Sequence, residues 1–303
     1  MADVCLLGCG GIMPLPDRWL SSLLIRHEGK MILFDCGEGT QIPLKQAGWG
    51  FKAIDAVCFS HYHADHISGL PGLLLTLGNG GRTQPLNLFG PTGLRQVING
   101  LTVISPQLPF ELVLNELPTT QKASYKIGGA VISSFPADHG IPCLCYTFEI
   151  ERPGLFLKDK AQSAGIPVNT WNRLQNGETV TLNGSVFSPG MVLGPHRKGI
   201  KVGFCTDSRP AEGFSDFFRN SDLLVCEGLY GDSSLEKKAY SKGHMIFSQA
   251  AAIARRSGCK ELWLTHFSPA MKNPEDYIGE AKSIFENTLT GNNLMKTALR
   301  FKD

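Results

Sequence analysis

Short apolar segments rich in valine, isoleucine, leucine and phenylalanine recur along this chain, each closed off by glycine, proline or a polar turn. They include SSLLIRH (21–27), MILFDCG (31–37), AVCFSH (56–61), LNLFGP (86–91), AVISSF (130–135), CLCYTFEI (143–150), KVGFCTD (201–207), LLVCEG (223–228) and ELWLTHF (261–267). They read as strands, several of them buried on both faces. Between them, helical spacing covers roughly 67–78, 92–101, 247–257 and 274–289. Two batches of strands interrupted by helices predict an α/β protein with two sheets and helices outside. A chain of 303 residues is long enough to build this as one large domain spanning 1–303.

Several classes are excluded early. No apolar run approaches the roughly 20 residues of a membrane-spanning helix. The start, MADVCLLGCGG, carries an acid where a signal peptide carries a base, so a cytoplasmic location is expected. The nine cysteines are odd in number, sit mostly in apolar runs such as AVCFS and LLVCEG, and form no CxxC knuckles. They are expected to be small buried hydrophobes rather than a disulfide framework or a zinc ribbon.

The stretch SHYHADHISG (60–69) concentrates three of the eight histidines with an aspartate. His61, His63, Asp65 and His66 follow the expected strand AVCFS, where a helix begins. Alternation along a strand points His61 and His63 the same way, and Asp65 and His66 follow as the chain turns. Imidazole and carboxylate together suit zinc, with manganese and iron as alternatives. Further ligand types stand where other strands stop: His139 in ADHG, Asp207 in FCTDS and His266 in LTHFS. Any one of these is more simply a cap or a core residue, but seven gathered at strand ends point to one metal-holding mouth. His27 and His196 match no metal position and are expected in solvent.

HxHxDH after a strand, with a later histidine, a strand-end aspartate and a final histidine, resembles the metallo-β-lactamase superfamily. The chain further resembles the ribonuclease Z family, the transfer-RNA 3′-processing endonucleases. The likeness rests on LGCGGIMP with RWLSSLLI, LFDCGEGTQ, FSHYHADHISGLPGLL, ADHG, GFCTDSRP, LLVCEGLY, KGHM and LTHFS. The resemblance implies a four-layer αββα sandwich with two zinc ions. It implies that His61, His63 and His139 hold one ion, that Asp65, His66 and His266 hold the other, and that Asp207 bridges them. A hydroxide between two such metals is a nucleophile at neutral pH. Asp65 resembles the family's general base, and Glu227 with His244 resembles the pair that supplies a proton to the leaving group.

Residues 151–200 differ from their surroundings, being rich in Gly, Pro, Asn and Ser and poor in periodicity. From Glu151 to Lys201 seven basic residues stand against three acids, although the whole chain is only +2. The family carries a protruding arm that grips transfer RNA, and RPGLF, AGIP, NGETVTL and VLGPHRKG follow its order. Lys158, Lys160 and Arg173 are the candidate phosphate contacts, and Trp171 is a candidate stacking ring. The tip departs from the family, reading VNTWNRLQ after Pro167 in place of a Gly-Pro-rich run. Precursor transfer RNA and a second copy of the chain are the expected partners. The competing readings are a phosphodiesterase of the same fold acting on small esters and a metal-binding structural protein without turnover.

Overall fold

The computed structural model describes residues 1–105 and 107–301. They group into two compact units, Met1–Glu149 with Ile200–Arg300, and Ile150–Gly199 with Phe301.

The larger unit is built on two seven-stranded sheets. The first runs in the order Met295–Leu299, Ala2–Gly8, Ser22–His27, Lys30–Phe34, Ile54–Cys58, Leu86–Gly90 and Leu112–Glu116. The second runs Thr288–Thr290, Leu262–Thr265, Leu223–Glu227, Arg197–Cys205, Leu144–Arg152, Ala130–Pro136 and Ala123–Ile127. The sheets pack face to face. The Phe34 ring of one lies 5.6 Å from Tyr146 and 5.7 Å from Phe204 of the other. Tyr146 Oη donates to the Phe59 carbonyl at 2.7 Å.

Helices cover the outer faces. Leu70, Leu73, Leu74 and Leu77 of helix Leu70–Asn79 share a core with Leu33, Val57 and Leu88 of the first sheet. Helix Phe247–Arg256 packs on strands Leu223–Glu227 and Leu262–Thr265, and helix Ile278–Ile284 packs on that helix. These are the four expected layers. Lys30–Phe34 through Leu112–Glu116 pair in parallel, as do Arg197–Cys205 through Thr288–Thr290. Parallel strands deliver their carboxyl ends to one edge, where α/β proteins place their sites. Among the described residues no helix is long and apolar enough to cross a membrane.

Some elements differ from the pattern-based expectation. The strand read through His61 stops at Cys58. The helical stretch 274–289 breaks into a 3₁₀ turn, Pro274–Tyr277, and a helix ending at Ile284, followed by strand Thr288–Thr290. Thr288 and Thr290 are buried while Leu289 is exposed, an alternation too short to outweigh the helical spacing before it.

The smaller unit is more regular than its composition suggests. It holds helices Lys158–Ser163 and Trp171–Gln175 and the antiparallel hairpin Val180–Leu182 with Ser185–Phe187. Asn183 and Gly184 close that hairpin, both at positive φ, the chemistry a two-residue turn demands. Its core is Ala161, Ile166, Leu174, Val180 and Val192, with Phe156, Trp171, Phe187 and Leu193 packed against them.

Candidate metal centre and proton-donor pair

His61 and His63 stand in the loop beyond strand Ile54–Cys58, so strand alternation does not aim them. Their convergence comes from the loop: the Ser60 carbonyl accepts from Leu144 N–H across the sheets, and His63 opens the short helix Ala64–Ile67. Two glycines let neighbouring loops close on this segment. A Cβ on Gly37 would fall 2.2 Å from the Asp65 carbonyl oxygen, and one on Gly69 would fall 1.9 Å from that of Gly37. Asp207 and His266 each follow a parallel strand of the second sheet, and both take left-handed backbone, φ 45° and 59°. Such strain in non-glycine residues costs roughly 1–3 kcal/mol each and persists where surrounding structure imposes it.

The seven sequence-predicted residues come together as two adjacent groups. In the first, His61 Nε2 and His139 Nε2 lie 3.0 and 3.1 Å from His63 Nδ1. Both also lie 3.6 Å from Asp207 Oδ2. In the second, His66 Nε2 and His266 Nε2 lie 3.3 and 3.1 Å from Asp207 Oδ1, and 3.4 and 4.0 Å from Asp65 Oδ2. The two oxygens of one carboxylate therefore face different groups.

Hydrogen bonds on the far side of the rings set the tautomers. His139 Nδ1 lies 2.9 Å from the Gly243 carbonyl, which only accepts, so Nδ1 carries the proton and Nε2 presents a lone pair. His66 Nδ1 lies 2.8 Å from Asp35 Oδ2, with the same consequence. Fixing an imidazole in this way is how metal-binding histidines are commonly oriented. Asp35 was not singled out from the sequence. It is fully buried at φ 58° and also accepts from the Ser60 amide and hydroxyl and the Thr206 hydroxyl. Its only signal was its place in LFDCGEG.

The donor set fits divalent ions. His66 Nε2, Asp207 Oδ1 and both ring nitrogens of His266 are buried without a hydrogen-bond partner. So many orphaned polar atoms at one point are costly unless a cation satisfies them. The electrostatics agree. Burial opposes charge on Asp207, yet the His266, His66 and His61 imidazoles hold its carboxyl well below the usual range. Burial likewise opposes a charged His66, but the Asp207 and Asp35 carboxylates outweigh it and raise the ring well above its ordinary value. Burial takes His61 well below that value and His266 down to about 4. The centre thus favours positive charge at His66, while the lowered His61 and His266 rings keep their lone pairs available.

Beside it, His244 Nδ1 lies 3.0 Å from Glu227 Oε2. Glu227 is fully buried, and its other oxygen accepts the Ser208 amide. Burial raises the Glu227 carboxyl to about 7. Burial works against a charged His244, but the Glu227 carboxylate prevails and lifts it to about 9, so the pair retains a proton at neutral pH. His63, Asp65, His139, Asp207, His244 and His266 line one cavity of about 560 Å³, together with Ile12 and Lys242.

The remaining sequence candidates fall elsewhere. Lys158, Lys160 and Arg173 are exposed on the smaller unit, where Arg173 pairs with Glu178 at 2.8 Å. Trp171 is half-buried, its ring 5.2 Å from Phe156 and its indole N–H donating to the Ile166 carbonyl. It serves that unit's core, so the stacking role is set aside. His196 is exposed as expected, whereas His27 is buried, with Nδ1 2.8 Å from the Met1 carbonyl.

The family described as Anti-Pycsar protein Apyc1 matches residues 2–167. A ribonuclease Z of Lachnospira eligens is 50% identical, the match covering 100% of this chain and 99% of that one. A ribonuclease Z of Clostridium acetobutylicum is 49% identical, with all of both chains covered. Among solved structures, the short form of human tRNase Z aligns with a TM-score of 0.72 at 25% identity, covering 99% of this chain and 100% of that one. YhfI, a metallo-β-lactamase-fold protein of Bacillus subtilis, aligns at 0.70 and 21% identity, covering 98% and 100%.

Proposed function

The chain belongs to the ribonuclease Z family of metal-dependent hydrolytic endoribonucleases, and from that premise we propose that it removes 3′ trailers from transfer-RNA precursors using two zinc ions. The observation that carries this reading is Asp207, whose two oxygens face two separate groups of imidazoles and carboxylates. We assign His61, His63 and His139 to one ion, Asp65, His66 and His266 to the other, and Asp207 to both. When bound, such ions supply a hydroxide nucleophile at neutral pH and neutralise charge on the phosphate oxygens.

The chain's own residues do the rest. Asp65 Oδ2 accepts the Ile12 amide at 2.7 Å, which fixes the carboxylate that takes a proton from the attacking water. His244 shares the cavity, is held by Glu227, and delivers a proton to the departing oxygen, leaving a 3′-hydroxyl on the RNA. Lys158, Lys160 and Arg173 supply phosphate contacts, which give affinity without reading sequence. We place the enzyme in the cytoplasm as a homodimer.

The test is incubation with an unprocessed transfer RNA and, separately, with a small chromogenic phosphodiester. Trailer removal that a chelator abolishes and zinc restores is the expected result. Hydrolysis of the ester without RNA cleavage would replace this reading with a small-ester phosphodiesterase of the same fold.

A further inference from the structure

The cavity that holds the polar centre has an apolar residue at its mouth in an unusual conformation. Ile12 adopts φ 71° and is 52% exposed. Met13 N–H donates to the Gly11 carbonyl at 2.8 Å, which closes a three-residue turn around Ile12. A turn of this kind with positive φ at its centre is rare and strained, the more so for a β-branched side chain. The turn is pinned on both sides. Gly11 N–H donates to the Phe267 carbonyl at 3.0 Å, and Ile12 N–H donates to Asp65 Oδ2 at 2.7 Å. Gly11 lies so close to the site that a Cβ there would fall 2.6 Å from His266 Nε2.

A glycine at position 12 would make the same backbone hydrogen bonds without strain. The isoleucine side chain therefore costs conformational energy and gains little burial in return, since half of it faces solvent. Strain kept at a site mouth points to a task there. Ile141, 40% exposed after Gly140, lines the same cavity as a second apolar residue. Lys242, the imidazoles and the Asp65 and Asp207 carboxylates supply the polar part of the lining. On the RNA-cleaving reading, a phosphodiester entering this cavity is flanked on each side by a nucleoside, whose base offers a flat, partly apolar face.

We propose that Ile12 is a specificity-determining residue whose side chain packs against the base of a nucleotide flanking the scissile phosphate, an inference that rests on the RNA-cleaving reading above. The backbone of the same residue steadies Asp65, so one turn couples base placement to the carboxylate beside the reacting phosphate.

Ile12→Gly separates the two contributions, because it keeps the amide and removes the side chain. Kinetics are compared on precursor transfer RNA and on precursors made abasic at either nucleotide flanking the cleavage site. For the intact enzyme, the abasic change should raise KM by about tenfold, the effect of taking away the surface on which one apolar side chain packs. Ile12→Gly should raise KM on normal precursor by a similar factor, and the abasic change should then add little. Ile12→Leu, which keeps an apolar wall, should stay within about threefold of the intact enzyme. The melting temperature of Ile12→Gly should equal or exceed the parent's, since glycine takes the turn freely. An Ile12→Gly enzyme with unchanged KM, or one still sensitive to base removal by the full factor, overturns the proposal alone. An intact enzyme that cuts no precursor overturns the functional reading and the proposal together.

Discussion

The candidate metal centre and the segment Ile150–Gly199 treat charge in opposite ways. In the centre, Glu227, His61 and His66 are fully buried and Asp207 is 2% exposed, each held by partners from distant parts of the chain. In the segment, the buried residues carry no charge, and Lys158, Lys160 and Arg173 stay in water. Even the Arg173–Glu178 pair is more than half exposed on both sides, where such a contact is worth little. The difference suits the work proposed for each. Holding ions and moving protons requires charges desolvated and fixed before substrate arrives. Phosphate contacts need only a mobile cation at the right place, and a five-residue core suffices to present it.

The sharpest way to break the comparison is at Asp207. Asp207→Ala should remove both ions by elemental analysis and take turnover below detection, whereas His139→Ala should release one ion preferentially. If Asp207→Ala retains two ions, the shared-carboxylate arrangement is wrong. His244→Ala comes next, with both ions retained and turnover lowered by roughly 10²–10⁴, the usual cost of removing a general acid. A variant with normal RNA cleavage would remove the His244–Glu227 pair from the mechanism.

What could be read from the sequence follows the same division. Metal chemistry restricts residue types, so His61, His63, Asp65, His66, His139, Asp207 and His266 were visible from their identities and their places after apolar strands. Asp35 was not, because its role depends on a left-handed backbone and on partners at positions 60, 66 and 206. Ile12 was equally hidden, since nothing in GGIMP announces a strained turn. In the fold, most buried central strands were legible as apolar runs, the exception being Ala2–Gly8, almost wholly buried between Met295–Leu299 and Ser22–His27. Edge strands such as Ala123–Ile127, which alternate half-buried and exposed residues, were not. Trp171 misled for a related reason. Composition marks a tryptophan among polar residues as available for stacking, but Phe156 and the Ile166 carbonyl occupy its ring and N–H. His27 likewise found its partner in the Met1 carbonyl, a main-chain group no side-chain pattern reveals.

The segment's proposed contribution should be smaller and should show in binding. Neutralising Lys158, Lys160 and Arg173 together should raise KM for precursor RNA with kcat largely kept. The dependence of log affinity on log salt should flatten by about 0.7–0.9 for each phosphate left without its cation. An unchanged salt slope would mean that these residues do not touch RNA. Trp171→Ala should act differently, loosening the local core by about 2 kcal/mol, less than the 3–5 typical of a fully buried tryptophan.

The smallest effect asks whether the two regions open separately. All nine cysteines lie in residues 1–149 and 200–300, and every one is buried. Burial pushes the thiols up, Cys5 and Cys259 to about 11 and Cys9 and Cys36 to about 12. At pH 8 a thiol near 11 is ionised to about one part in a thousand, and only the thiolate reacts. A thiol reagent should therefore label none of the nine in the native protein and all of them in denaturant. The segment carries no thiol, so its local opening is silent to that reagent but visible to a protease cutting between 150 and 199. Trp171→Ala should speed that nicking while native labelling stays at zero. Should labelling rise in step with nicking, the segment and the core that carries the candidate metal centre would melt as one cooperative unit, and the contrast between them would be one of composition alone.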